Sequence, residues 1–142
     1  MHDITRSLVR DFGARGIPIQ HGVTRREIVA FENLYSVQLT EEAAAAYFET
    51  VGGMANAAMD PATKLRLWPL AEVEPAAKWL GHDDAYAGCF IFADFLLWSH
   101  AYAIRLGTTR LTSSEVVLVG GIEPIIEAPS LTKFFEKQLS GE

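Results

Sequence analysis

The sequence is poor in features that would point to a disulfide-bonded or membrane protein. It contains a single cysteine, Cys89, so no disulfide can form within the chain. Its most apolar stretch, residues 86–106, is about as long as a membrane span but includes Asp94 and Arg105. Each of these charges would cost about 2.5–3.5 kcal/mol near the centre of a bilayer. The single cysteine argues against a disulfide-stabilised fold, and the two charges within the apolar stretch argue against a transmembrane helix.

Basic residues are also scarce, since 12 lysines and arginines stand against 18 aspartates and glutamates, a formal net charge of −6. Nucleic-acid binding relies on clustered lysine and arginine, so we expect no nucleic-acid partner. An acidic surface instead favours association with a basic protein. The first twelve residues, MHDITRSLVRDF, mix both charges and lack the apolar block of a secretory signal. The sequence therefore predicts a soluble, cytoplasmic protein with no membrane partner.

The apolar stretch has the pattern of two β-strands. As a helix it would scatter its polar residues around every side, whereas the alternation of its second half has the strand period of two. The first half, residues 88–93, is short, aromatic and β-branched, as a central strand should be. We therefore predict a strand pair in the middle of a sheet, with one face of the second strand formed by Trp98, His100, Tyr102, Ile104 and Leu106.

Helices are predicted before and after this strand pair in the chain. Thr24 and Glu27 have the spacing of a capping box, and the helix they begin carries the stripe Ile28, Phe31, Leu34 and Tyr35. Thr40-Glu41-Glu42 begins a second helix, because acidic residues complement the positive end of the helix dipole. Ser130 caps a last helix near the end of the chain.

Three further segments have strand character: residues 64–68, 115–119 and 122–126. Because the helices and strands are not arranged as repeated βαβ units, we predict the α+β class. The expected architecture is a single domain with a mostly antiparallel sheet of about four to six strands and helices packed on it. We assign residues 24–139 to this domain and residues 1–23 to an N-terminal extension.

Several segments resemble, in order, the SUKH superfamily of Smi/Knr-type domains. REIVAFENLYSVQLTEEAAAAYFETVGGM (residues 26–54) is similar to its opening pair of helices. LRLWPLAEV (65–73) resembles the following strand, FIFADFLLWSHAYAIRL (90–106) the central hairpin, and APSLTKFFEKQL (128–139) the closing helix. Thr40 departs from the pattern, since the family usually has proline there, and residues 1–23 match no part of it.

The resemblance implies a Smi/Knr-like fold and a function in protein binding without catalysis. Bacterial members of this superfamily are immunity proteins, which neutralise a toxin, often a nuclease or deaminase, by binding to it. Fungal members regulate glucan synthesis, so a regulatory or scaffold protein of that kind is the alternative. The resemblance thus implies a protein partner, with a toxin domain as the first expectation. A homo-oligomer is also compatible with it.

Aromatic and acidic side chains near the predicted sheet are the candidate partner-binding residues. Tryptophan and tyrosine are enriched at binding hot spots, although core packing is the alternative role for each of them. Acidic residues beside them would form a rim for a basic partner, with Glu123 and Glu127 as further members. The predicted partner-binding set is Trp68, Asp94, Trp98, His100, Tyr102 and Glu115.

Two groups of residues have the chemistry of a catalytic or metal site but not its arrangement. His82-Asp83-Asp84 offers imidazole and carboxylate ligands, yet three consecutive residues seldom converge on one ion, and a solvated turn is the alternative. His100 has the chemistry of a general base, but no serine or cysteine nucleophile is placed relative to it. We therefore predict no catalytic residues, no metal and no cofactor.

Overall fold

The apolar stretch forms the central hairpin of an antiparallel sheet, as predicted. In the computed structural model, which describes residues 2–54, 58–80, 85–96 and 99–140, strand β3 is Cys89–Phe95 and strand β4 is His100–Arg105. Their register pairs Phe95 with His100 and Cys89 with Arg105. A bulge between Ile91 and Ala93 places one extra residue in β3. Of the alternating face predicted for the second strand, Trp98 lies outside the described residues.

Four shorter strands complete the sheet. The hydrogen-bonded order is β1-β3-β4-β5-β6, and β2 pairs with β3 after β1 has ended. Every described pairing is antiparallel. This confirms the predicted α+β fold. The shorter strands are β1 (Leu65–Leu67), β2 (Glu74–Pro75), β5 (Val116–Val119) and β6 (Ile125–Ala128).

The α-helices are α1 (His2–Ala14), α2 (Arg25–Tyr35), α3 (Ala77–Leu80) and α4 (Leu131–Ser140). A π-helix spans Glu42–Phe48 and a 3-10 turn spans Leu70–Glu72. The predicted cap of α2 is present, since the Thr24 hydroxyl accepts a hydrogen bond from the Glu27 N–H at 3.2 Å. Over the described parts of the chain, no helix combines the length and apolar character that crossing a membrane requires.

Aromatic side chains join the helices to one face of the sheet. Phe90 of β3 contacts Phe31 of α2, with 5.7 Å between the ring centroids. Tyr102 of β4 contacts Phe134 of α4 at 5.0 Å, and the same Phe134 lies 5.7 Å from Phe92. Edge-to-face ring contacts of this kind add to the stabilisation from apolar burial. The hydrophobic core therefore lies between the central hairpin and the helices.

Helix α1 belongs to the same core, although the sequence assigns residues 1–23 to an extension. Leu8 and Phe12 are buried members of the core cluster, because one side of the helix packs on α4 and the π-helix. At the end of α1, Arg15 binds both carboxylate oxygens of buried Asp60 at 2.6 and 2.9 Å. The N-terminal segment is thus held to the rest of the fold by apolar contacts and by an ion pair.

Two buried tyrosines should respond in opposite directions to loss of the hydroxyl. Within the described structure, the Tyr47 hydroxyl is buried without a hydrogen-bond partner, and burial raises the pKa of Tyr47 above its usual value. Tyr47→Phe removes this desolvated group and keeps the ring contacts with Phe48 and Phe135. We expect the free energy of unfolding to rise by up to about 1 kcal/mol in urea denaturation.

Tyr86→Phe is the matched control, because the Tyr86 hydroxyl has hydrogen-bond partners. It donates to the Gly121 carbonyl at 2.9 Å and accepts from the Gly120 N–H at 3.3 Å. We expect this variant to lose about 1 kcal/mol of stability. Equal losses in the Tyr47 and Tyr86 variants would show that the Tyr47 hydroxyl makes a favourable interaction.

Candidate functional site

Two of the predicted partner-binding residues, Trp68 and Asp94, bind each other inside the protein. The register pairs Arg66 of β1 with Asp94 of β3, which puts their side chains on one face of the sheet. Trp68 follows β1, and its indole Nε1–H donates to Asp94 Oδ2 at 2.6 Å. Trp68 is 3% exposed and Asp94 is 1% exposed. Each side chain is almost fully covered in this structure, and the expectation that the two residues contact a partner stays a prediction.

Arg66 connects this buried pair to the surface. Its side chain is 4% exposed, and its Cζ lies 5.9 Å from the Trp68 ring centroid, within the range of a cation–π contact. One terminal nitrogen donates to both carboxylate oxygens of Glu72, at 2.8 and 3.0 Å, and to the Met54 carbonyl at 3.0 Å. The strand predicted at residues 64–68 is present as β1, and Leu65, Arg66 and Leu67 are all buried.

A groove lies where Glu72 reaches the surface, between helix α2 and residues 66–79. Its apolar part has a volume of about 290 Å³. Leu34 of α2, 73% exposed, stands at its edge, whereas Phe31 and Tyr35 of the same helix pack against Phe90. The described lining of this part is Glu27, Ala30, Phe31, Leu34, Tyr35, Leu70, Ala71 and Val73.

The groove continues into a second part that combines aromatic rings with charges. This part has a volume of about 330 Å³ and shares Tyr35, Ala71 and Val73 with the apolar part. Its other described lining residues are Arg66, Trp68, Glu72, Glu74 and Trp79. Trp79 of α3 is 54% exposed. We call the two connected parts the α2 groove.

Carboxylates outnumber cations in the described lining of the α2 groove. Three of the four charged residues in its described lining are carboxylates, Glu27, Glu72 and Glu74. The fourth, Arg66, is almost fully covered. Glu74 accepts a hydrogen bond from Trp79 Nε1 at 2.8 Å and another from Lys78 Nζ at 2.8 Å. The hydrogen bond to Glu74 and its charge raise the pKa of Lys78 above the usual value.

The remaining predicted partner-binding residues that the structure describes, His100, Tyr102 and Glu115, do not converge on one place. His100 is exposed at the start of β4, with 5.9 Å between its ring centroid and that of Phe95. Tyr102 is half-buried against Phe134, and burial raises its pKa. Glu115 pairs with Arg105 at 2.6 Å, beyond the other end of β4. Tyr102 therefore serves largely in packing, and Glu115 lies away from His100, at the opposite end of β4.

The predicted acidic rim is likewise dispersed. Glu123 is exposed after β5, whereas Glu127 pairs with Lys137 at 3.0 Å. Residues 82–84, which have the chemistry of metal ligands but were predicted to form a solvated turn, lie outside the described residues. Among the side chains that are described, no three histidine, cysteine, aspartate or glutamate residues group closely enough to hold a metal ion.

Sequence reasoning missed the α2 groove, although the sequence contains one sign of it. At about 100° per residue, Leu34 lies about 60° from Phe31 and about 120° from Ile28 around the helix. Leu34 therefore lies at the margin of the apolar stripe. When Ile28 and Phe31 face the core, the side chain of Leu34 stays exposed. The contribution of residues 66–79 to the groove has no comparable local signal.

Comparisons with known proteins found no similar chain: no family model, no curated protein and no solved structure matches it. The resemblance to the SUKH superfamily therefore stays a prediction from the residues that carry it.

Proposed function

We propose that this protein is a non-enzymatic binding module that acts in the cytoplasm as an immunity protein for a bacterial toxin. The observation that carries the proposal is the α2 groove, an exposed surface that combines apolar side chains, aromatic rings and carboxylates. Exposed apolar patches with polar rims are typical of protein-binding sites. The order of SUKH-like segments along the chain supports the choice of a toxin as the partner.

The mechanism we propose is occlusion of the toxin surface without turnover. A nuclease toxin needs a basic surface to hold its phosphate substrate. A binding protein with a net charge of −6 is attracted to such a surface, and electrostatic attraction of this kind accelerates association. Once bound, the protein blocks the substrate sterically and leaves the toxin chemically unchanged.

The test is to express this protein with the product of an adjoining toxin gene. We expect the two proteins to purify as a stoichiometric complex and the cells to survive expression of the toxin. An unrelated toxin serves as the control, and cells that express it should die whether or not this protein is present. Absence of both complex formation and protection with the adjoining toxin would refute the proposal.

A further inference from the structure

We propose that the α2 groove receives a partner segment in which an apolar side chain stands next to a lysine or arginine. The apolar side chain enters the part lined by Phe31, Leu34, Leu70 and Val73, and the cation enters the part lined by Trp79, Glu72 and Glu74. This inference rests on the proposed function in protein binding and names the chemistry that the binding surface selects.

The apolar part calls for an apolar occupant. Leu34 is 73% exposed, whereas Phe31 and Tyr35 of the same helix pack against each other and against Phe90. A large apolar area of Leu34 therefore remains in contact with water. Covering it releases about 25 cal/mol for each Å² of apolar surface that is buried. The groove is formed by a regular helix on one side and a short 3-10 turn on the other, so it is already shaped before a partner arrives.

The aromatic part calls for a cation. The chain's own Arg66 shows how a guanidinium is held there, against the Trp68 ring and bonded to Glu72. A carboxylate has about four lone-pair sites, so Glu72 and Glu74 can accept further hydrogen bonds beyond those from Arg66, Lys78 and Trp79. Trp79 is 54% exposed, and tryptophan is the residue type that makes the strongest cation–π contacts.

Charge distinguishes this occupant from two others. The groove lining holds more carboxylates than cations even though Glu72 and Glu74 are ion-paired, and this excess disfavours an anionic segment. A second copy of the chain would bring another molecule with a net charge of −6 against the same acidic surface. A basic segment of a different protein is the occupant that both the apolar part and the charged part favour.

The experiment uses a displayed library of random twelve-residue peptides selected on the whole chain. We expect the enriched peptides to carry an apolar residue beside lysine or arginine, and their binding to weaken as salt is raised. Leu34→Asp and Trp79→Ala should each weaken that binding at least about tenfold, since each removes a large exposed side chain that lines the groove. Ile122→Asp is the matched control, because Ile122 is 77% exposed but lies between β5 and β6, and this variant should bind as well as the unaltered protein.

The outcomes separate this inference from the proposed function. Acidic peptides, no enriched peptides, or equal binding by the Leu34→Asp variant with unchanged thermal stability would overturn the inference. Self-association that Leu34→Asp abolishes would assign the groove to a second copy and would also overturn it. A toxin that binds the unaltered protein and the Leu34→Asp variant equally would leave the proposed function standing while removing the groove from it.

Discussion

Replacing Glu42 with alanine is expected to lower the free energy of unfolding by about 4 kcal/mol. The Glu42 carboxylate is buried and accepts hydrogen bonds from the N–H groups of Leu131, Thr132 and Ser114 at 2.8, 3.0 and 3.1 Å. It also accepts from the Thr132 hydroxyl at 2.7 Å. Two of these N–H groups belong to the first turn of α4, where helix donors have no partner within the helix. Alanine would remove the acceptor of the buried Leu131 and Ser114 N–H groups.

Urea denaturation of two further variants checks this explanation. Glu41→Ala is the matched control, because Glu41 is the adjacent, exposed glutamate, and we expect its effect to stay within about 0.5 kcal/mol. Glu42→Gln keeps one oxygen acceptor but turns an amide towards the donors, so we expect a loss of about 2 kcal/mol. If Glu42→Ala destabilises no more than Glu41→Ala, the carboxylate does not hold α4 in place.

Asp60→Asn is expected to lower the free energy of unfolding by about 2–3 kcal/mol at neutral pH. Asp60 accepts hydrogen bonds from Arg15, from the Ala62 N–H at 2.9 Å and from the Thr63 hydroxyl at 3.0 Å. Asparagine removes the negative charge that binds the Arg15 guanidinium. Its NH₂ group also replaces one of the two accepting oxygens and faces groups that themselves donate hydrogen bonds. Both the attachment of α1 and the turn that precedes β1 should weaken.

The pH dependence of this effect follows from the pKa of Asp60. Burial opposes ionisation of the carboxyl, but the hydrogen bonds from Arg15, the Ala62 N–H and Thr63 outweigh it and hold the pKa below 3.8. A carboxyl whose pKa is lower in the folded state stabilises the fold at pH values above its unfolded pKa. That stabilisation is lost as the pH falls through the folded pKa. We therefore expect the difference between the unaltered protein and Asp60→Asn to narrow below about pH 4.

Asp11→Asn is the matched control for this second experiment. Asp11 binds the same Arg15 guanidinium, with 2.6 Å between Nη2 and Oδ2, but its carboxylate is partly exposed. Exposed pairs of this kind contribute about 0–1 kcal/mol, so the variant should change stability little at any pH. Equal effects of the Asp11 and Asp60 variants would show that burial of the Arg15–Asp60 pair has no energetic consequence.

The parts of the fold that the sequence predicted are those with a local signal. Alternation of side chains in residues 98–106 indicated a strand, and β4 is found at His100–Arg105. The spacing of Thr24 and Glu27 indicated a helix start, and α2 begins at Arg25. In each case the deciding interaction joins residues close in the chain or repeats with a fixed period.

The candidate site was harder to predict because its residues are distant in the chain. The α2 groove joins Leu34 to residues 66–79, and that contact depends on how the helix docks beside the sheet. Trp68 and Asp94 were selected because of their residue types. In the structure the register of β1 and β3 places Asp94 beside Arg66, and Trp68 and Asp94 are buried and hydrogen-bonded to each other. Residue type alone does not distinguish a buried hydrogen-bonded tryptophan from an exposed one.

The sequence by itself determined the α+β class, the central hairpin and the helix that Thr24 caps, since these depend on periodicity and short-range hydrogen bonds. Only the tertiary structure decided the roles of individual polar side chains. Glu42 has the sequence position of a residue at the start of its own helix, but its carboxylate binds the first turn of α4, 89 and 90 residues away. Such pairings form because a buried polar group must find a hydrogen-bond partner wherever packing brings one within reach.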